Sequence, residues 1–311
     1  MKRTVILAVC LFASALAARA ASLESAKSAG YASFDAIYSK GRIVKSLGRA
    51  DDELMDLTRD ADPQIRAAAA WALRDYVSGR YRVEDRLLAM ALNEKEDAEV
   101  REAAIKSLSR ASNHRAHDAL IDLAKDRDAA APLRVAALKA LYSRTFDYGP
   151  AQDAALELLK DGKQPLEVRK GAAWSLFGSV GKYRSWSALL EVLQDDGEDA
   201  SLRVEAARSL YYAVFDQHKV RQAVWGIAKD AREPSDLRKT TVLALHSALS
   251  DYRIEEWLRE LAQDSRQPEL RLAAITALKP LMSEEMLSYF HLARYPGRSD
   301  DSRRYRDPLQ D

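Results

Sequence analysis

The chain is 311 residues long and nearly balanced, with 48 Lys and Arg against 47 Asp and Glu and a formal net charge of +1 at pH 7. That balance argues against a general nucleic-acid binder, which needs a basic excess to neutralise phosphates. A single cysteine, Cys10, rules out an internal disulfide framework.

The N-terminus reads as an export signal. Lys2 and Arg3 precede an apolar run from Val5 to Leu16, and Ala18-Arg19-Ala20 has the small-x-small form of a signal-peptidase site. The run is about a dozen residues, too short to span a bilayer, so no transmembrane segment is expected. Cleavage would start the mature chain near Ala21, remove Cys10 and leave 45 basic against 47 acidic residues. Val9 stands where a lipobox prefers a small residue, which speaks against lipidation at Cys10. The expected destination is therefore the periplasm, with residues 1–20 as signal peptide.

Residues 21–50 hold Tyr31, Phe34, Ile37 and Tyr38 at helical spacing, which predicts an N-terminal cap. From 51 to 282 one pattern recurs. Arg66, Arg101, Arg134, Arg169, Arg203, Arg238 and Arg271 follow one another at steps of 35, 33, 35, 34, 35 and 33 residues. An aliphatic residue precedes each, a small residue (Ala, or Thr241) stands three positions on, and a leucine stands seven on. Those offsets share one helical face, edged by small residues that let a neighbouring helix approach closely.

Upstream of each such helix lies a second apolar cluster, from Leu54, Met55 and Leu57 in the first unit to Trp257, Leu258 and Leu261 in the last. Each unit is thus a helical hairpin, too small to bury its own apolar face and stable against its neighbours. The loop inside the hairpin often places proline at the start of the second helix, as at Pro63, Pro165, Pro234 and Pro268. The expected fold is all-α, an α-solenoid of about seven hairpins with terminal cap helices.

Beyond the repeats, Pro280 should end the last second helix, and Met286, Leu287 and Phe290 predict a closing cap helix over 283–295. Residues 296–311 have almost no apolar side chain and read as a disordered polar tail.

The run DPQIRAAAAWAL from Asp62 to Leu73, with QPELRLAAITAL from Gln267 to Leu278, resembles the second helix of a HEAT repeat, of the short variety found in bacterial HEAT-like proteins. The resemblance covers residues 51–282. The period also equals the tetratricopeptide length, but the Trp-x-x-Leu-Gly-x-x-Tyr run of that family is missing from these first helices. The resemblance implies a structural ladder in which the repeated arginines pair with acidic groups of the loops inside the repeats. Asp126, Asp161, Asp195 and Asp230, eight residues before their arginines, are the expected partners.

Enzymes of HEAT-like fold include di-iron hydroxylases with His-Glu ligand pairs, DNA glycosylases and bilin lyases. Here the five histidines are followed by Arg115, Asp118, Lys219, Ser247 and Leu292, so the His-Glu motif is missing. His114 and His117 lie three apart on a helix, too few ligands for a tight metal site. No catalytic motif stands out, and no cofactor or metal is expected.

A binding surface is easier to motivate. Five and eight positions after the arginines run two rows containing Trp71, Lys106, Lys139, Trp174 and Arg208, and Tyr142, Phe177, Tyr211 and His246. Solenoids present such rows on a concave face, and aromatic groups mixed with cations suit a protein or peptide partner. A further aromatic group, in the turns between hairpins, comprises Tyr76, Tyr81, Phe146, Tyr148, Tyr183, Trp186, Phe215 and Tyr252; it is a second candidate for ligand contact, with cementing one hairpin to the next as the commoner explanation. The functional expectation is a non-catalytic exported scaffold. The alternative is an enzyme or accessory acting on a cell-envelope polymer, which paired acids flanked by aromatics on the concave face would favour.

Overall fold

The computed structural model describes residues 50–279 together with Met286, Tyr289 and Phe290. The expected signal peptide, N-terminal cap and polar tail lie outside the described residues, as does most of the expected closing helix. Among the described residues there are sixteen α-helices and no strand, and fourteen of the helices pair into seven hairpins. Two compact units divide the chain, Met1–Ser112 and Asn113–Asp311.

In the first unit the hairpins are α1 (Ala50–Leu57) with α2 (Pro63–Ala72), and α3 (Tyr81–Leu92) with α4 (Ala98–Ser107). Asp62 and Asp97 cap the second helices by accepting from the amides of Gln64 and Glu99 at 2.8 and 2.9 Å. The small residues act as their spacing foretold. Ala67, Ala69 and Ala70 of α2 and Ala104 of α4 are fully buried where those two helices pack together. Between the hairpins Gly79 takes φ +75°, a conformation that glycine adopts without steric cost.

The second unit contains five hairpins. They are α5 (His114–Lys125) with α6 (Ala131–Ala140), α8 (Gly149–Lys160) with α9 (Leu166–Leu176), and α10 (Tyr183–Gln194) with α11 (Ala200–Ser209), followed by α13 (His218–Lys229) with α14 (Ser235–Ala244) and α15 (Tyr252–Gln263) with α16 (Pro268–Ala277). Short helices α7 (Arg144–Asp147) and α12 (Tyr211–Asp216) fill two of the connecting turns. The second helices α6, α9, α11, α14 and α16 pack in file and form one layer. Helix α16 ends at Ala277, ahead of Pro280. The proline expectation needs one correction: Pro63 and Pro268 open their helices, but Pro165 and Pro234 occupy the capping position just outside α9 and α14.

Close approach is enforced by glycine at two places in this layer. At Gly171 of α9 an added Cβ would lie 3.3 Å from Val135 of α6. At Gly178, in the turn after α9, it would lie 2.0 Å from the carbonyl oxygen of Tyr142, so no larger residue fits without moving the backbone.

The repeated arginines do form a ladder, with partners other than those expected. From Arg101 to Arg238 the Nε donates to the carbonyl ten residues upstream, at the end of the first helix: Ala91, Ala124, Leu159, Leu193 and Ala228, at 2.9 to 3.3 Å. Arg271 reaches the carbonyl of Ala262, nine residues back, while Arg66 donates to the carbonyls of Asp60 and Ala61. The carbonyls from Ala91 to Ala262 lie in the last turn of their helices, where the guanidinium caps the C-terminus, whereas those of Asp60 and Ala61 lie in the loop after α1.

The terminal nitrogens reach into the next hairpin's loop, from Arg66 to Glu96, Arg134 to Gln164, Arg169 to Glu198, Arg203 to Glu233 and Arg238 to Gln267. The hydrogen bond from Arg169 holds the Glu198 carboxyl below its usual range, against the opposing effect of burial. Asp126, Asp161, Asp195 and Asp230 instead accept from the amide two residues on, at 2.9 to 3.0 Å. These aspartates close their own turns, and the longer Glu and Gln take the ladder arginines, while Asp161 also accepts from Arg127 of the preceding hairpin at 2.7 Å.

Candidate functional site

In the first unit, Trp71 is buried in α2 with the Arg74 guanidinium 5.0 Å from its ring centre, and Lys106 pairs with Glu102 at 2.5 Å. In the second unit, rings from three successive hairpins make a continuous chain. Tyr142 meets Trp174 at 5.1 Å and Phe177 at 5.8 Å, Phe177 stacks on Tyr212 at 5.5 Å, and Tyr212 lies edge-on to Tyr211 at 5.5 Å. The chain then continues into the C-terminal segment, where Tyr211 meets Phe290 at 4.6 Å and Phe290 meets Tyr289 at 5.2 Å. Such offset and edge contacts are the geometry that the ring quadrupole favours.

Cations flank both ends. The exposed Lys139 ammonium lies 5.8 Å from the Trp174 ring, and the Arg208 guanidinium lies 4.2 Å from Tyr289. Arg208 is also held by Glu205 at 3.4 Å.

In the second unit, members of the two predicted rows come together in space, but Trp174, Phe177, Tyr211 and His246 are buried rather than displayed, as is Trp71 in the first unit. His246 uses Nδ1 against the carbonyl of Ala277 at 2.8 Å, which makes it a link between the last two hairpins and not an open contact. The physical reason is position. Eight residues after the arginine the chain has left the second helix and entered the connecting turn, which lays the side chain along the stack against the next ring. Lys106, Tyr142 and Arg208 are half-buried, and Lys139 is exposed. Tyr212, Thr240 and Tyr289 belong to this site and were not singled out from sequence, although the Tyr211-Tyr212 pair and the Tyr289-Phe290 pair were visible there.

The turns between hairpins show the reverse. Tyr81, Tyr183 and Tyr252, each the first residue of its helix, are 70, 70 and 72 % exposed, and Phe146 and Phe215 are about half exposed. The three tyrosines do not cement hairpins, and that expectation is corrected for them. Trp186 is the buried member, with Tyr183 edge-on at 5.0 Å. Lys182 covers one side of Phe146, its ammonium 5.0 Å from the ring and bonded to the Phe146 carbonyl.

His114 stacks on Tyr148 at 4.7 Å, His117 lies 5.8 Å from the same ring, and the Tyr148 hydroxyl donates to Asp118 at 2.6 Å. That hydrogen bond raises the Tyr148 pKa. Among the described residues no three His, Cys, Asp or Glu side chains converge as a metal site, and no helix is long and apolar enough to cross a membrane.

Residues 52–141 match the family model for HEAT repeats. YibA of Escherichia coli is similar in structure at a TM-score of 0.51 and 17 % identity, over 83 % of this chain and 85 % of that one. The complex of CpcE and CpcF of phycocyanin lyase from Nostoc sp. PCC7120 is similar at 0.44 and 16 %, over 78 and 93 %. Human deoxyhypusine hydroxylase is similar at 0.33 and 19 %, over 82 and 90 %. At these identities the likeness is one of fold, and no curated protein matches the sequence. With HEAT repeats matched over residues 52–141 and the same hairpin and arginine pattern continuing through α16, this chain has the fold of a HEAT-like α-solenoid.

Proposed function

We propose that the protein is an exported, non-catalytic scaffold that binds a protein or peptide partner along the second-helix face of its second unit. The observation that carries this reading is the edge of the buried ring chain, where Lys139 is exposed over Trp174 and Tyr142, Arg208 and Tyr212 are half-buried. Tyrosines held in place by packing beside cations suit recognition, because Tyr loses little entropy on binding and Tyr and Arg are prominent in interface energetics. Glu205 on this face is tied to Arg208, a pairing that favours binding over the two-carboxylate chemistry that polymer cleavage requires. Export rests on the leader from Lys2 to Ala20.

The test is site-specific photo-crosslinking from position 139 in the envelope fraction, with and without Tyr142→Ala. A discrete adduct that Tyr142→Ala weakens supports the proposal. No adduct, or one indifferent to Tyr142, ends it. N-terminal sequencing of the recovered protein checks export, with a start near residue 21 expected.

A further inference from the structure

A closing helix at the C-terminus of a solenoid is expected to cover the last hairpin. Tyr289 and Phe290 instead lie against the fifth and sixth. Phe290 is buried with its ring on Tyr211, and Tyr289 lies under the Arg208 guanidinium. The Tyr289 hydroxyl meets Thr240 Oγ1 at 2.5 Å. Thr240 spends its own proton on the Asp236 carbonyl at 2.8 Å, so Tyr289 is the donor to Thr240. The amide of Phe290 donates to the carbonyl of Met286 at 3.0 Å, which makes this segment a helical turn. Met286, Tyr289 and Phe290 thus sit at i, i+3 and i+4, on one face of that turn.

The geometry points to a seat for a short helical peptide. We infer that Arg208, Tyr211 and Thr240 form a binding site for a helical segment with an apolar residue one turn ahead of two adjacent aromatics, occupied here by the chain's own Met286, Tyr289 and Phe290 and open to exchange with such a segment from a partner. The seat discriminates in three ways: a flat ring is needed over the guanidinium, a donor is needed at Thr240, and a second ring is needed on Tyr211. Arg208 Nε adds a fourth feature, being buried without a hydrogen-bond acceptor among the described residues. A ring face attracts such a group through its quadrupole, which an aliphatic side chain does not do.

Among the described residues, Tyr289 and Phe290 make the contacts with the seat. Belonging to the same chain raises the segment's effective concentration there to the order of millimolar, so a modest intrinsic affinity suffices for occupancy in cis. A partner presenting the same turn then sees an affinity reduced by the fraction of time that the seat is empty. The inference rests on the scaffold reading for its purpose and names the kind of partner that the face takes.

The experiment uses the full chain and a fluorescein-labelled peptide of residues 283–293, SEEMLSYFHLA, read by anisotropy. Tyr289→Phe removes one oxygen from the resident segment and should tighten peptide binding about 2- to 10-fold over wild type, the value of one hydrogen bond. Tyr289→Ala with Phe290→Ala should tighten it at least about 10-fold, and adding Arg208→Ala should abolish that gain. Equal affinity for all the variants, or binding that survives replacement of both aromatics in the peptide, overturns the inference. If the double variant loses cooperative unfolding, the Tyr289→Phe comparison decides alone. Crosslinking from position 139 separates the two proposals: an adduct without peptide exchange leaves the scaffold and removes the seat, and exchange without an adduct does the reverse.

Discussion

Arg203 and Glu233 face each other as a two-pronged pair, Nη1 to Oε2 at 2.8 Å and Nη2 to Oε1 at 2.7 Å, with both side chains largely shielded from water. The same Arg203 donates through Nε to the carbonyl of Leu193, so one side chain ties the first helix of its own hairpin to the loop of the next.

Because Gln164 and Gln267 serve Arg134 and Arg238 in the same place, Glu233→Gln should change unfolding free energy by less than about 1 kcal/mol. Glu233→Ala leaves a buried guanidinium short of an acceptor, a loss of roughly 3–5 kcal/mol in general. Asp196, 3.2 Å from Arg203, draws the expectation to the lower end of that range. Urea denaturation of both variants checks the contrast, and equal losses would show that charge rather than hydrogen bonding holds the ladder.

Gly178→Ala should destabilise the protein by about 1–3 kcal/mol or more, since the new Cβ meets a backbone carbonyl that has no room to retreat. Gly171→Ala meets side-chain methyls of Val135 and Leu138 at 3.3 to 3.4 Å rather than backbone, and should cost less, about 1 kcal/mol or below. Thermal melts of the pair are the measurement. The carbonyl in question belongs to Tyr142, so Gly178→Ala should also weaken the crosslink from position 139.

The exposed turn tyrosines give a third contrast. Tyr183→Ala and Tyr252→Ala should each shift stability by less than about 0.5 kcal/mol, as for ordinary surface positions. Trp186→Ala, at a buried site, should cost about 3–5 kcal/mol. Comparable losses at Tyr183 and Trp186 would restore the packing role that the exposure removes.

The loop carboxylates predict a pH dependence. The Arg232 side chain and amide pull the Asp230 pKa from 3.8 down to about 2. A depressed carboxyl contributes stability that is fully present above the unfolded value and lost as pH falls through the folded one. For Asp230 that window runs from 3.8 down to about 2. Asp264, held by Arg266, shifts in the same direction. Carboxyl-carbon NMR titration should find the Asp230 midpoint near 2, and Arg232→Ala should move it upward. An unmoved midpoint would remove the arginine as the cause.

Much of this architecture was legible beforehand because a buried stripe must repeat with the helix, and the arginine, alanine and leucine offsets could share only one face. The acceptors of the ladder were harder to see. Their mark is an Asp or Asn followed three residues later by Glu or Gln, as in Asn93 to Glu96, Asp161 to Gln164, Asp195 to Glu198, Asp230 to Glu233 and Asp264 to Gln267. The first residue closes the turn and the last takes the guanidinium, and an eye fixed on the conspicuous aspartates assigns both tasks to one side chain. The site was read less well, because whether a ring at a helix end faces solvent or its neighbour depends on the turn that follows. Tyr183 and Phe177 look alike as letters, yet one opens a helix and is exposed while the other enters a turn and is buried.

The forward reach of these guanidinium groups bears on how such a protein can lengthen. A stretch such as 169–202 carries one ladder arginine, Arg169, and one forward acceptor, Glu198, within 34 residues. Copying that stretch whole would insert a new arginine together with an acceptor for the arginine before it, so neither end of the insertion is left unmatched. Copying half of it would strand a charge in the interior. Growth by complete modules is thus the tolerated route, and the bonding scheme itself acts as the ruler.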